Sequence, residues 1–308
     1  MARVTSSLAN SFLLEHKLEN LVAKRERFRR AAGGERSALR RPSPARASRT
    51  TQALEHELAE LRTQHDRLQH TFFDAAQVQR KLCGTRHLVR KPYEVASEIF
   101  PVQDISGDFI TIFESGDDLV LAIGDIGGKG LAAGMWFSHV MGTVRLHCLR
   151  QPDPAAALAA VNHDLMSAGM ELPLISLLVC RLNVATGEIA YCNAGHPPAI
   201  LLDREGMVES LKEGGPVLGA IPGASYATGK VVMTPGATLL AFSDGVVECG
   251  ITRGDEFGEH RLLQKLRAAS GSAVTTLFSV LGAVEDFACG RQREDDLALM
   301  VVQRGMTA

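Results

Sequence analysis

An α+β fold is predicted by three features of the 308-residue sequence. Short apolar runs bounded by turn residues recur from about residue 95 to the C-terminus. Helix-like stretches fall together in two places instead of following every strand. The 29 glycines mark frequent tight turns. Strands joined by hairpins, with helices kept in groups, give antiparallel sheets covered by helices. A hydrophobic content of 45% with 22% charged residues suits a soluble globular chain with a sizeable core. No apolar run approaches the roughly 18 residues of a membrane span. Glu15 and Lys17 interrupt any signal-peptide core. The six cysteines, Cys83, Cys148, Cys180, Cys192, Cys249 and Cys289, contain no C-x-x-C pair, which speaks against a zinc site and against a disulfide framework. A cytoplasmic location is expected.

Taken in order, residues 1–50 are basic, with 12 Lys/Arg against 4 Asp/Glu, so that the rest of a chain of net charge -2 carries the acid. Phe12, Leu13, Leu14, Leu18 and Leu21 stand at near-helical spacing, and residues 31–50 have the composition of a mobile linker. From Leu54 a heptad pattern runs through Leu58, Leu61, His65, Leu68, Phe72, Ala75 and Gln79 to Leu82. So narrow a seam, flanked by Glu57, Glu60, Arg62 and Asp66, wants a partner helix. A coiled-coil homodimer through residues 54–82 is expected, the alternative being one helix packed back on its own chain. Beyond Gly84 the strand candidates are VASEIF, DFITIF, LVLAIG, LISLLVCRLNV, EIAYCNAG, PAILLD, GKVVM, ATLLAFSDG and LALMVVQ. Turns are expected at Ala185–Gly187 and at Pro235–Gly236. One helical region follows Gly130 and continues past Pro152 and Pro154 into PAAALAAVNHDLMSA; the other spans His260 to about Cys289. The expected division is a basic helix and linker over 1–50, a coiled-coil helix over 51–84 and a main domain over 85–305.

The stretch Leu119–Arg150 joins a buried strand to a long helix through a turn holding one carboxylate, Asp125, and the glycines Gly127, Gly128 and Gly130, which let backbone lie close to an ion. Asp125 alone also fits an ordinary helix cap. Asp108 in SGDFI, Asp244 in FSDGVVE and the pair Asp295, Asp296 in EDDLALMVV share its setting, an acid beside a glycine or another acid at the edge of an apolar strand. Carboxylates converging at the end of a sheet repel one another unless cations neutralise them, and all-oxygen ligands select hard ions such as Mg²⁺ or Mn²⁺. Spacing by itself does not prove that positions spread from 108 to 296 converge.

From about Val78 to Arg304 the chain resembles the bacterial SpoIIE/RsbU-type branch of the PPM, or PP2C, metal-dependent protein phosphatases. AAQVQRKL, GDF, GDIGGKG, NAGHPPAILL, GGPVLGA, FSDGVVE, DEFGEHRL and DDLALMVV carry the resemblance in order. It implies an αββα sandwich of two antiparallel sheets flanked by helices, with a pair of Mn²⁺ or Mg²⁺ ions at one edge. It also implies that Asp125 bridges the ions beside the backbone carbonyl of Ile126, that Asp244 and Asp295 hold the second ion, and that Asp108 assists. Asp296 falls where relatives carry Asp or Asn and is either a further ligand or an orienting neighbour. Water activated between two ions would then attack a phosphoserine or phosphothreonine in line. The implied partner is a small phosphorylated regulator, typically an anti-sigma factor antagonist of the STAS type, and no nucleic acid. A catalytically weak, dimeric binding module is the alternative.

Thr111 stands where relatives often have a second carboxylate, Ala298 replaces a common Thr or Ser, and Ser176 stands near a usual Thr; the latter two bear on supporting hydrogen bonds. A Walker A loop is excluded because Ile123 and Gly130 occupy positions that need Gly and Ser or Thr. Ser243 in AFSDG lacks the first glycine of a nucleophile elbow. His196 is either a ligand or general acid, or a structural hydrogen-bonding group in a turn fixed by Pro197 and Pro198. Lys129 either steers phosphate or is simply solvated.

Overall fold

The computed structural model of the chain describes residues 44–128, 130–169, 171–252, 255–291 and 293–306. The expected helix over 5–30, most of the expected linker and Lys129 lie outside the described residues. The chain divides into two compact units after Ala75. Helix α1, Pro44–Leu82, forms the described part of the first unit and enters the second with its last two turns. Residues 44–50 are helical, not linker. Ala45, Arg46, Ala47 and Arg49 are strong helix formers, and a proline in the first turn costs little because its missing N–H would have no intrahelical partner there. Along α1, Leu54, Leu61, His65, Leu68, Phe72 and Ala75 are half-buried and Leu58 is buried, whereas Glu57, Glu60, Arg62 and Asp66 are exposed. Gln79 is buried as well, but Leu82 is exposed, so the heptad seam is the more protected face only as far as Gln79.

Two six-stranded sheets build the second unit. In the first, β1 (His87–Arg90), β2 (Tyr93–Phe100), β14 (Leu297–Arg304), β11 (Thr238–Phe242), β7 (Ala199–Leu202) and β8 (Val208–Leu211) lie side by side, antiparallel throughout. In the second the order is β10 (Gly229–Val232), β6 (Glu188–Ala194), β5 (Ile175–Asn183), β4 (Asp118–Ile126) and β3 (Asp108–Ser115), also antiparallel. The short β9 (Gly214–Gly215) adds to β6 in parallel. A ribbon of β12 (Gly250–Thr252) and β13 (Asp255–Glu256) stands apart. The fold is the expected αββα sandwich.

Strand alternation assigns each face. Ile110, Ile112, Leu119, Leu121, Ile123, Leu178 and Cys180 of the second sheet pack against Leu239, Ala241, Ala298, Met300 and Val302 of the first. The opposite parity of the second sheet, including Phe109, Val120, Ala122, Leu177 and Val179, is covered by α2 (Leu131–Arg150) and α3 (Pro154–Ser167). Leu240, Phe242, Leu299 and Val301 are covered by α5 (Gly258–Ala268) and α6 (Ala273–Ala288). A one-residue slip in any central strand would exchange the face packed on the other sheet with the face packed on the helices.

The nine expected strands all form. The hairpin at 185–187 forms as well, with Gly187 at φ 84. The turn at Pro235–Gly236 differs in kind, since it carries the chain from β10 in one sheet to β11 in the other. The 260–289 region breaks into α5 and α6 at Gly271, whose φ is 110, and Ser272 caps α6 by accepting from the Thr275 N–H at 3.2 Å. Strands β1, β8, β9, β12 and β13 and the one-turn helix α4 (Asp244–Glu248) were not expected; each is too short to show a period.

Candidate metal centre

Asp108 opens β3 and pairs directly with Asp125, the last residue but one of β4, which in turn pairs with Ser176 of β5. Directly opposed residues project to the same face. By parity with Ile110, Ile123 and Leu178 that face is the inner one, so the three form a row at one edge of the sandwich. The acids of the first sheet come to the same edge from strands that are neighbours there. Asp244 follows β11 as the first residue of α4, and Asp295 and Asp296 immediately precede β14. Ser243 fastens the two strand ends: its N–H donates to the Ala298 carbonyl at 3.0 Å, and its Oγ accepts from the Ala298 N–H at 2.9 Å. Gly245 makes the close approach possible, because a Cβ there would lie 2.1 Å from the Asp296 carbonyl oxygen.

The electrostatics show that the acids share one field. Asp108 is 3% exposed, and its Oδ2 is buried without a hydrogen-bond partner. Burial holds its carboxyl well above the usual range, repulsion from Asp125 adds to this, a hydrogen bond with Ser243 offsets part of it, and Asp296 and Asp244 raise it further. Asp125 is pushed up to about 6 by burial first and then by Asp244, Asp295 and Asp296. In this arrangement Asp244 Oδ1 accepts from the Gly245 N–H at 2.8 Å and Asp295 Oδ1 from the Asp296 N–H at 3.0 Å. Among the described residues no three His, Cys, Asp or Glu side chains surround one point closely enough to hold an ion as they stand. A Cβ on Gly107 would lie 2.8 Å from Asp125 Oδ1 and 2.9 Å from the Ile126 carbonyl oxygen, so these two oxygens face the same space and a glycine keeps it clear.

Asp296 is engaged differently. Its Oδ1 accepts from the Val102 N–H at 2.7 Å, and its Oδ2 accepts from Ser106 Oγ at 2.7 Å and from the Gly107 N–H at 3.0 Å. It fastens the loop before β3 to the start of β14. Ser106 Oγ also accepts from the Asp108 N–H at 3.0 Å, and Gln79 of α1 brackets the Ser106 backbone, donating to its carbonyl at 2.7 Å and accepting from its N–H at 3.1 Å. Sequence reasoning missed Gln79 as anything but a weak seam position, and missed Ser106, Gly107 and Glu248. Glu248, one turn beyond Asp244 on α4, is raised by burial and by repulsion from Asp244, Glu256 and Asp295. Thr111 lies buried in β3 and Ala298 in β14. His196 is buried and bonded to Ser176, and burial lowers its ring to about 4, which leaves it neutral and unsuited to donate a proton near pH 7.

The donor set fits hard divalent cations: every group is an oxygen, several carboxylates repel one another, and one buried carboxylate oxygen has no hydrogen-bond partner among the described residues. Residues 115–305 match the family described as Stage II sporulation protein E (SpoIIE), which is more than half of the chain. The chain belongs to the SpoIIE family. Similar proteins include Protein IcfG of Synechocystis sp. (strain ATCC 27184 / PCC 6803 / Kazusa), 24% identical over 245 residues that cover 69% of this chain and 38% of that protein. Phosphoserine phosphatase RsbU of Bacillus subtilis (strain 168) is 25% identical over 236 residues, covering 75% of this chain and 69% of RsbU. The chain thus spans little more than a third of IcfG and about two thirds of RsbU. Among solved structures, the SiaA-PP2C domain of Pseudomonas aeruginosa superposes with a TM-score of 0.66 at 17% identity, covering 77% of this chain and 97% of that one. A structure of the PP2C phosphatase domain and a fragment of the regulatory domain of SpoIIE from Bacillus subtilis gives 0.60 at 17% identity, covering 70% and 64%. At these identities the structures speak to the fold, which is that of PP2C. Asp125, Asp244, Asp295 and Asp296 lie inside the family match, and Asp108 lies just before it.

Proposed function

We propose that the chain is a metal-dependent protein serine/threonine phosphatase of bacterial signalling, hydrolysing phosphoserine or phosphothreonine on a regulatory protein. The observation that carries this reading is the row of Asp108 and Asp125 on one sheet facing the acids of the other, with Asp108 Oδ2 buried and unpartnered. Asp125 would hold both Mn²⁺ or Mg²⁺ ions with the Ile126 carbonyl beside it, Asp244 and Asp295 would hold the second, and Asp108 would assist from the floor of the site. Asp296, whose oxygens are already occupied by three donors, orients the 101–107 loop. When bound, such a pair of ions supplies Lewis acidity and lowers the pKa of water. The chain's own residues supply the rest. Asp108 forms a dry floor, while Asp244 is half-buried and Asp295 exposed, so a phosphorylated side chain can reach the site from the side of the first sheet. The expected substrate, implied by the family resemblance, is an anti-sigma factor antagonist of the STAS type, and RsbU among the similar proteins is a phosphoserine phosphatase. The seam of α1 is proposed to make a homodimer.

Phosphate release from a phosphoserine peptide, measured with the protein stripped by chelator and then resupplied with Mn²⁺, tests the reading. Release that needs Mn²⁺ and is lost in Asp125→Asn supports it; release unaffected by chelation contradicts it. One observation favours a second reading, a binding module without catalysis: Asp244 and Asp295 each turn an oxygen onto neighbouring backbone. That module would show no phosphate release at any Mn²⁺ concentration while still forming a complex with the regulator.

A further inference from the structure

The acids of the site come from two sheets, so their spacing depends on what ties the sheets together at that edge. The chain itself crosses between the sheets at 195–198, from β6 in the second to β7 in the first. His196 stands on this crossing, 4% exposed. Its Nδ1 is hydrogen-bonded to Ser176 Oγ at 2.8 Å, and Ser176 is the residue paired with Asp125. The backbone of Phe242, the last residue of β11 and two positions before Asp244, comes near enough to the ring to offset part of the effect of burial, and Nε2 is buried without a hydrogen-bond partner. The crossing is stiff. Asn193 accepts from the His196 N–H at 2.8 Å and donates to the His196 carbonyl at 2.9 Å, and Pro197 and Pro198 follow. A Cβ on Gly195 would meet Val217 at 2.3 Å, so the backbone there is pressed against its neighbours.

We propose that His196 is a positioning residue: the rigid crossing presents its imidazole between Ser176 and the end of β11, and so sets the separation of the Asp108–Asp125 row from Asp244. This rests on the metal-dependent phosphatase reading. The ring is suited to the task because burial keeps it neutral across the physiological range, so the link between the sheets does not change with pH. Ser176 offers a hydroxyl that can turn to suit either tautomer. The serine at this position in place of a threonine therefore preserves the one group the link uses.

The most direct test changes Ser176, whose replacement by alanine leaves the fold's core untouched. Calorimetric Mn²⁺ affinity, kcat and KM for para-nitrophenyl phosphate, and the metal-free melting temperature are measured for Ser176→Ala, Ser176→Thr, His196→Asn and Asp125→Asn. Ser176→Ala is expected to weaken Mn²⁺ binding about tenfold, in the range found for groups that orient metal ligands. It should lower kcat with KM and metal-free melting nearly unchanged. Ser176→Thr should restore both affinity and kcat. His196→Asn, which places a polar atom where Nδ1 stood, should retain more affinity than Ser176→Ala. Wild-type affinity and kcat in Ser176→Ala would overturn the proposal, as would a Ser176→Thr protein no better than Ser176→Ala. If Asp125→Asn keeps full Mn²⁺ affinity, the metal reading itself fails; if Asp125→Asn loses it while Ser176→Ala does not, the positioning role alone fails.

Discussion

Removing the charge of Asp125 acts in two directions. It takes away the ligand proposed to touch both ions, and it relieves repulsion from Asp244, Asp295 and Asp296. Asp125→Asn is therefore expected to abolish Mn²⁺-dependent phosphate release while raising the melting temperature of the metal-free protein at pH 7. The pH dependence has the same origin. Because the folded carboxyl titrates near 6 and the unfolded one near the usual carboxylate value, the folded state holds the proton more tightly between these limits. This group should lower metal-free stability as pH rises from about 4 to about 6, by on the order of 3 kcal/mol, and add no further loss above that. Thermal melts of chelator-treated protein across that range check it; stability that rises over the window would contradict the burial and crowding of Asp125. Gly107→Ala should weaken Mn²⁺ binding, since its Cβ would intrude on Asp125 Oδ1 and the Ile126 carbonyl. A calorimetric titration indistinguishable from the parent would show that the space is not used. The aspartates were legible in the sequence because each sits where an apolar run meets a glycine or a second acid. Ser106 and Gln79 were not, because Ser106 reaches the Asp296 carboxylate and Gln79 the Ser106 backbone only once the fold brings them near.

At the scale of elements, the long strands declared themselves through apolar runs and β-branched residues, and the helices through caps and small-residue periods. What escaped were pieces of two to five residues, and the assignment of the Pro235–Gly236 turn to a crossing between sheets, which no local pattern can distinguish from a hairpin. The break between α5 and α6 was written in Gly271 and Ser272, as a left-handed glycine followed by a cap. Ser272→Ala should cost about 1 kcal/mol of stability through the lost acceptor for the Thr275 N–H. Denaturant melts should show this with Mn²⁺ affinity unchanged, because α6 packs on the outer face of the first sheet, behind the layer that holds the acids. A matching loss of metal affinity would mean that the outer helices tune the site.

Over the whole molecule, convergence was the part that sequence could not show: Asp108 and Asp125 stand on one sheet, Asp244 and Asp295 beside the other, and only the stacking of the sheets brings them to one edge. The family resemblance supplied that step before geometry did. The first unit carries its own prediction. Replacing Leu61 and Leu68 by Ser removes apolar seam contacts worth roughly 1.5 to 3 kcal/mol each when buried, and should convert a dimer to a monomer in sedimentation. An unchanged sedimentation coefficient would dismiss the seam as a dimer contact. The central claim, that aspartates from two sheets share bound divalent ions, is tested most directly by titrating Mn²⁺ into chelator-stripped protein in a calorimeter. Binding should be saturable and approach about two ions per chain, with the heat lost in Asp125→Asn. No saturable heat in the parent protein, or the same isotherm in Asp125→Asn, would contradict it.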